Sequence, residues 1–281
     1  MRLVATLSGR LCFSGEVPPR SRLQSCEELV RSIRSFAPCR NPLLAGYVGT
    51  YKGPRENNED SAAIAIKRID KGVYALVVVA DGVGGLKKGE YASSNAVCQV
   101  LLDFYQGYRF DEGWIKGVFD EVNEYVKRRA DGGATTLTMA VVNASSGSIA
   151  VGNVGDSPMY AVTADGQIYD LTPNKDEYND YILQAVGHPS YQGPHINIYN
   201  FAAGALIGVT DGVSDYLSDY TTLRNILVMN LKQAVETLLA SIKKTTRDNA
   251  TVAALRLYKS FSQRDDKIDT GTLRINSGNL I

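Results

Sequence analysis

Ser61-Ala-Ala-Ile-Ala-Ile66, a turn at Asp70-Lys-Gly72, and Val73-Tyr-Ala-Leu-Val-Val-Val-Ala80 running into Asp81-Gly82 form the stretch on which the fold turns. Its β-branched and alanine-rich runs suit the interior of a sheet, and the polar turn between them predicts a strand pair. The second run ends on a carboxylate. A charge at the end of a buried strand must be met by a cation or removed by protonation.

Outward from this pair the pattern stays short-stranded. A strand is expected at 46–51 before it, and two helices, 90–105 and 111–129, follow it. Val97, Leu101 and Phe104 in the first, and Trp114, Val118, Val122 and Val126 in the second, recur at helical spacing and predict core-facing stripes. Next come four strand candidates, 134–143, 148–154, 158–163 and 167–171, separated by Ser-Ser-Gly, Gly-Asp-Ser and Ala-Asp-Gly turns and read as an antiparallel meander. A helix at 178–186, strands at 195–201 and 205–210, one long helix at 223–243 and a last strand at 250–258 complete the domain. Strands in consecutive runs broken by helix pairs predict a layered α+β sandwich, not a doubly wound parallel sheet.

The flanks differ from this body. Residues 1–42 read as an N-terminal extension, a short hairpin plus an amphipathic helix opened by Ser25-x-x-Glu28, with Pro38 and Pro42 ending it. A packed cap is the expected role. Met1 to Cys26 carries Glu16 as its sole acid, as transit peptides tend to, but Arg10 interrupts its apolar residues and leaves no secretory core. The main domain is expected at 43–259, and 260–281 form a polar tail.

Lysine plus arginine equal aspartate plus glutamate at 30 each, which argues against nucleic acid as a partner. The balance is uneven: residues 1–55 hold nine basic residues against three acids, so the rest is acidic. No apolar run approaches the roughly 20 residues of a membrane span. Four cysteines without a C-x-x-C pair argue against a disulfide-rich scaffold or a zinc site, and reduced thiols in a cytoplasmic protein are expected. His188 and His195 are the two histidines, too few for a histidine-rich metal centre. The 82–89 loop lacks Gly-Lys-Ser/Thr, and Lys87 stands where Gly-x-Gly-x-x-Gly needs its last glycine, so a nucleotide loop is excluded.

Four aspartates share one setting, at or near strand ends: Asn58-Glu59-Asp60-Ser61, Ala80-Asp81-Gly82, Thr210-Asp211-Gly212 and Asp248-Asn249-Ala250. A lone Asp-Gly reads as a turn. Several carboxylates ending strands read better as oxygen ligands for a hard divalent ion, with glycine letting a carbonyl approach. Arg55, just upstream, has the guanidinium fork suited to phosphate oxygens.

In order along the chain, Gly53-Pro-Arg-Glu-Asn-Asn-Glu-Asp60, Asp81-Gly-Val-Gly-Gly85, Gly132-Gly-Ala-Thr-Thr136, Asn153-Val-Gly-Asp-Ser157, Thr210-Asp-Gly212 and Asp248-Asn-Ala-Thr251 resemble the successive motifs of the metal-dependent type 2C (PPM) serine/threonine phosphatases. The likeness covers roughly residues 45–258. It implies a four-layer αββα fold, an antiparallel β-sandwich flanked by helix pairs, with a two-metal centre at one edge. Asp81 would bridge two Mn²⁺ or Mg²⁺ ions, Gly82 would lend its carbonyl, Asp211 and Asp248 would complete one ion, and Asp60 would bind directly or through water. Glu59, Asp156 and Asp215 would support these ions or hold a third. Arg55 would clamp the phosphate, and a bridging water would attack phosphorus in line. The substrates implied are phosphorylated proteins, products of a serine/threonine kinase, handled by a monomer without membrane or nucleic acid.

The chain departs from the family pattern at Val83, where several members carry histidine, at Pro158, where arginine is common, and at Leu171-Thr-Pro-Asn-Lys175, which replaces a Thr-x-Asp-His segment. The 176–199 span is short for the usual flap. A catalytically weak relative that keeps the fold as a phosphoprotein-binding or regulatory module is the alternative these departures leave open.

Overall fold

The structure is a computed structural model that describes residues 44–258, apart from positions 70, 71, 87, 108, 174, 175, 179, 180, 201 and 202. The expected extension at 1–42 and tail at 260–281 lie outside the described residues.

Two five-stranded antiparallel sheets face each other. One is built from β2 (Asp60–Ile69), β3 (Gly72–Asp81), β4 (Leu137–Asn143), β5 (Ser148–Val154) and β10 (His195–Asn200). The other contains β1 (Leu44–Tyr51), β6 (Met159–Thr163), β7 (Ile168–Asp170), β11 (Ala203–Val209) and β12 (Ala250–Leu257). The stretch at Ser61–Gly82 is the β2–β3 hairpin, and its period of two sorts side chains into two layers. Ala62, Ile64, Ile66, Ala75, Val77 and Val79 fill the space between the sheets, together with Leu206, Ala253 and Leu255. Ala63, Ala65, Leu76, Val78 and Ala80 face the opposite way, onto a helix layer. Both faces of these strands are buried, which is why they read as unbroken apolar runs.

That helix layer is α1 (Gly89–Gln106) and α2 (Glu112–Arg129), the second capped by the Asp111 carboxylate accepting from the Trp114 amide. Lys67, buried on β2, donates through Nζ to the carbonyls of Tyr105 (2.5 Å) and Gly107 (2.7 Å), closing the C-terminus of α1 with a positive charge. On the far side, α3 (Asp211–Ser214), a 3₁₀ turn at Tyr220–Arg224, α4 (Asn225–Val228) and α5 (Leu231–Ile242) cover the second sheet, with Val235 and Leu238 against Val252 and Ala254. The four layers αββα are those implied by the resemblance.

Four expectations need correction. The four strands from 134 to 171 are not one meander. β5 stays with β4 while β6 and β7 belong to the other sheet, because the chain crosses at Gly155, whose φ of +96° and contact with Thr136 turn it sharply. Among the described residues of 178–186 there is no helix. β8 (Glu177–Tyr178) pairs with β9 (Tyr181–Ile182), and Val186 bridges Thr135. Asp176 organises this segment: its carboxylate accepts from the Gly155 amide (3.0 Å) and the Gln184 side chain (2.9 Å) and meets His195 Nε2 at 2.8 Å. The long helix at 223–243 is divided at Met229-Asn230, where Asn230 leaves helical geometry and caps α5 through the Gln233 amide. Among the described residues no cysteine is a free thiol, so the reduced state expected of Cys98, on the buried face of α1, is also corrected.

Candidate active site

The acidic residues gather at one edge of the sandwich because the strands deliver them there. Asp60 and Asp81 are direct partners in the β2–β3 register and continue the rows that fill the space between the sheets. Cross-strand partners put their side chains on the same face. The opposing sheet supplies Asp211, which follows β11, and Asp248, two residues before β12.

Electrostatics ties these four together. Burial pushes the Asp60 carboxyl up to about 7, against hydrogen bonds from Thr251 and Thr210, with the charges of Asp211 and Asp248 adding to the rise. Asp81 is pushed well above the usual carboxylate range by burial first, then by the charges of Asp60 and Asp211 and by a hydrogen bond with Asp211. Asp211 is raised by burial and by the charges of Asp248 and Asp215. Such crowding is stable only if protons or a cation compensate it. Oδ1 of Asp60 and Oδ1 of Asp211 are buried without a hydrogen-bond partner. In a folded protein that is an unsatisfied state that calls for a ligand.

The remaining candidates fall around this centre. Gly82 follows Asp81, and a side chain there would sit 2.5 Å from the Gly89 backbone, so the N-terminus of α1 can pack directly on the loop. Its amide donates to the Glu59 carbonyl at 3.1 Å. Glu59 lies against Gly89, its carboxyl raised by burial and then by the charge of Glu90. Asp156 acts on Asp81 through its charge, and Asp215, one turn beyond Asp211, acts on Asp211. Arg55, half exposed, pairs with Asp248 at 2.5 Å. Val83 is held by the Ala134 carbonyl and offers no proton.

Among the described residues no group of three or more His, Cys, Asp or Glu side chains stands at metal-ligating spacing. The side chains account for this. Asp248 is drawn to the Arg55 guanidinium and Asp81 is hydrogen-bonded to Asp211, so these carboxylates are turned to partners within the chain. The donor set itself is all oxygen, the set that Mg²⁺ and Mn²⁺ prefer.

The acids are legible in the sequence, but the hydroxyls that hold them are not. Thr210 Oγ1 donates to Asp60 Oδ2 at 2.9 Å and accepts the Thr251 amide at 3.0 Å. Thr50 Oγ1 receives both Asn58 (2.8 Å) and Thr251 (2.9 Å). Thr136 accepts the Asp81 amide (2.9 Å), and Thr135 donates to the Asp81 carbonyl (2.8 Å). All but Thr50 lie inside the quoted motifs, beside residues with a more obvious chemistry.

Fold and site together define an αββα sandwich whose open edge is lined with carboxylates from both sheets. Residues 54–247 match the family model described as Protein phosphatase 2C. The chain belongs to the protein phosphatase 2C family. It is 32% identical over 123 residues to the serine/threonine phosphatase stp of Listeria innocua, 40% of this chain, and spans less than half of that relative, 46%. To the putative protein phosphatase of Mycoplasma genitalium it is 26% identical over 249 residues, 74% of this chain and 93% of that one. Among solved structures, the catalytic domain of the serine/threonine protein phosphatase PstP in complex with two manganese ions superposes with a TM-score of 0.62 at 22% identity, covering 77% of this chain and 99% of that chain. No helix among the described residues is long and apolar enough to cross a membrane.

Proposed function

We propose that the chain hydrolyses phosphoserine and phosphothreonine on proteins with the help of divalent cations, Mn²⁺ or Mg²⁺, held by the acidic edge. One observation carries the reading: three aspartates whose carboxyls are raised by burial and by their neighbours stand together at one sandwich edge, with two buried carboxylate oxygens left without a hydrogen-bond partner. Family membership and the manganese bound to the PstP neighbour support it.

Asp60, Asp81, Asp211 and Asp248, with the Gly82 carbonyl, are the residues that would hold two ions, and Glu59, Asp156 and Asp215 would support them or a third. When bound, such ions lower the pKa of a water and neutralise charge on the phosphoryl oxygens, supplying several kcal/mol of transition-state stabilisation. The protein does the rest. Arg55, at the mouth of the edge, orients the phosphoryl group through its fork of donors. Val83 cannot protonate the leaving alkoxide, so that proton has to come from a water or from another side chain. The substrate class is phosphoprotein, the product of a serine/threonine kinase, and the active unit is residues 43–259 acting as a cytoplasmic monomer.

Phosphate release from a phosphothreonine peptide tests this, with Mn²⁺, Mg²⁺ or EDTA present. Turnover that needs the cation and stops in EDTA is expected. Peptide binding without turnover would move the protein to the regulatory-module reading.

A further inference from the structure

We infer that Asn249 is the positioning residue of the phosphate-binding loop, pinning both ends of residues 52–57 so that Arg55 is presented to the acidic edge. The inference rests on the phosphatase reading for its consequence, and on geometry for its cause. Asn249 is 3% exposed. Its Nδ2 donates to the Lys52 carbonyl at 2.6 Å and to the Asn57 carbonyl at 2.9 Å, and its Oδ1 accepts the Glu59 amide at 2.8 Å. Both amide hydrogens and the carbonyl oxygen are therefore used, across about 190 residues of chain.

The two carbonyls it holds are the two ends of the loop that carries Arg55. Inside the loop, Lys52 Nζ donates to the Arg55 carbonyl at 2.6 Å, closing the turn from within. The loop's other flank is set by Gly53: at φ +64°, a Cβ there would lie 2.1 Å from the Asp248 carbonyl. Loop and 248–249 segment thus touch backbone to backbone. Asp60 has separate anchors, its ladder position opposite Asp81 and the Thr210 hydrogen bond, so the two donors of Asn249 bear on the clamp and not on Asp60.

This arrangement gives the Asp248-Asn249 pair two tasks. Asp248 faces the acidic edge, and its neighbour fixes the loop whose guanidinium now pairs with that same Asp248. A clamp residue misplaced by about 1 Å can cost about a hundredfold in rate.

The test compares Asn249→Asp, which keeps shape and acceptor but loses both donors, with wild type in the metal-loaded enzyme, alone and in an Arg55→Ala background. If Asn249 acts through Arg55, Asn249→Asp lowers kcat/KM about tenfold or more, mainly through KM, and adds less than about threefold once Arg55 is gone. An equal loss in both backgrounds, or a lower melting temperature with KM unmoved, overturns the inference. Amide exchange on the wild-type protein gives a second readout that needs no variant. The Glu59 amide lies outside any ladder yet should exchange slowly, and rapid exchange overturns the pin whether or not the enzyme turns over. A protected amide in a protein without turnover would instead remove the phosphatase reading and leave the pin standing, measurable as Arg55-dependent binding of inorganic phosphate that Asn249→Asp weakens.

Discussion

Arg55 places a full positive charge at the mouth of a site built from carboxylates, and its pairing with Asp248 shows how the acidic edge is kept together by its own chain. The guanidinium can serve Asp248 or a phosphoryl group, and its exposed position lets it turn from one to the other. Arg55→Ala is therefore expected to raise KM for a phosphopeptide and to lower kcat as well, and steady-state kinetics on the folded variant check this. Unchanged parameters would remove Arg55 from the site. At this scale the sequence was most legible where one residue type has one chemistry. Asp60, Asp81, Asp211 and Asp248 could be named from their strand-end positions, and all four share one electrostatic environment. The pairing of Arg55 with Asp248 was not legible, because it joins residues 193 apart and depends on how two sheets stack.

The elements carry their own polar constraints. Lys67 reaches from β2 to the last carbonyls of α1, so Lys67→Met should leave those acceptors buried and unmet and lower stability by about 2 kcal/mol, read in a denaturant titration. Tyr105, near the same helix end, has the reverse problem: its hydroxyl is buried with no hydrogen-bond partner. Tyr105→Phe should be neutral or stabilising by up to about 1 kcal/mol. Burial pushes the Tyr105 phenol well up and that of Tyr199 to about 12, from an ordinary value of 10.0. The unfolded chain therefore ionises first as pH rises, and stability falls progressively from about pH 10 towards 12. Tyr105→Phe should shallow that alkaline fall in thermal melts, whereas an unchanged slope would mean that Tyr105 does not contribute. Strands with both faces buried announced themselves as apolar runs, and α1 and α2 by their spacing. Elsewhere the local signal was overruled. Residues 178–186 have helix-compatible residues, but the buried Asp176 carboxylate gathers Gly155, Gln184 and His195 around itself and holds the segment extended. At 223–243 the apolar rhythm runs on through Asn230, although α4 has ended at Val228 and the Asn230 side chain caps the start of α5.

For the whole molecule, the site exists because two sheets meet at one edge, each bringing carboxylates that would repel if left alone. The family's fold supplies the meeting. A ligand that binds the folded state and not the unfolded one stabilises it by mass action, about 2.7 kcal/mol at a hundred times its dissociation constant. Mn²⁺ should accordingly raise the melting temperature of the wild-type protein, EDTA should reverse the rise, and Asp81→Asn should blunt it. A cation that shifts the melting of both proteins equally would place its binding elsewhere. The layer order could be anticipated from runs of strands broken by helices, but the assignment of β6 and β7 to the second sheet could not, since it depends on the crossing at Gly155.

The central claim is that the carboxylates at this edge power phosphoester hydrolysis through bound cations. Phosphate release from a phosphothreonine peptide, measured across a Mn²⁺ titration for wild type and for Asp81→Asn, addresses it most directly. The account predicts saturable, metal-dependent turnover in the wild type and a loss of several orders of magnitude in the variant, in keeping with the several kcal/mol that metal activation supplies. Equal rates in the two proteins, or wild-type turnover indifferent to Mn²⁺ and EDTA, would contradict it.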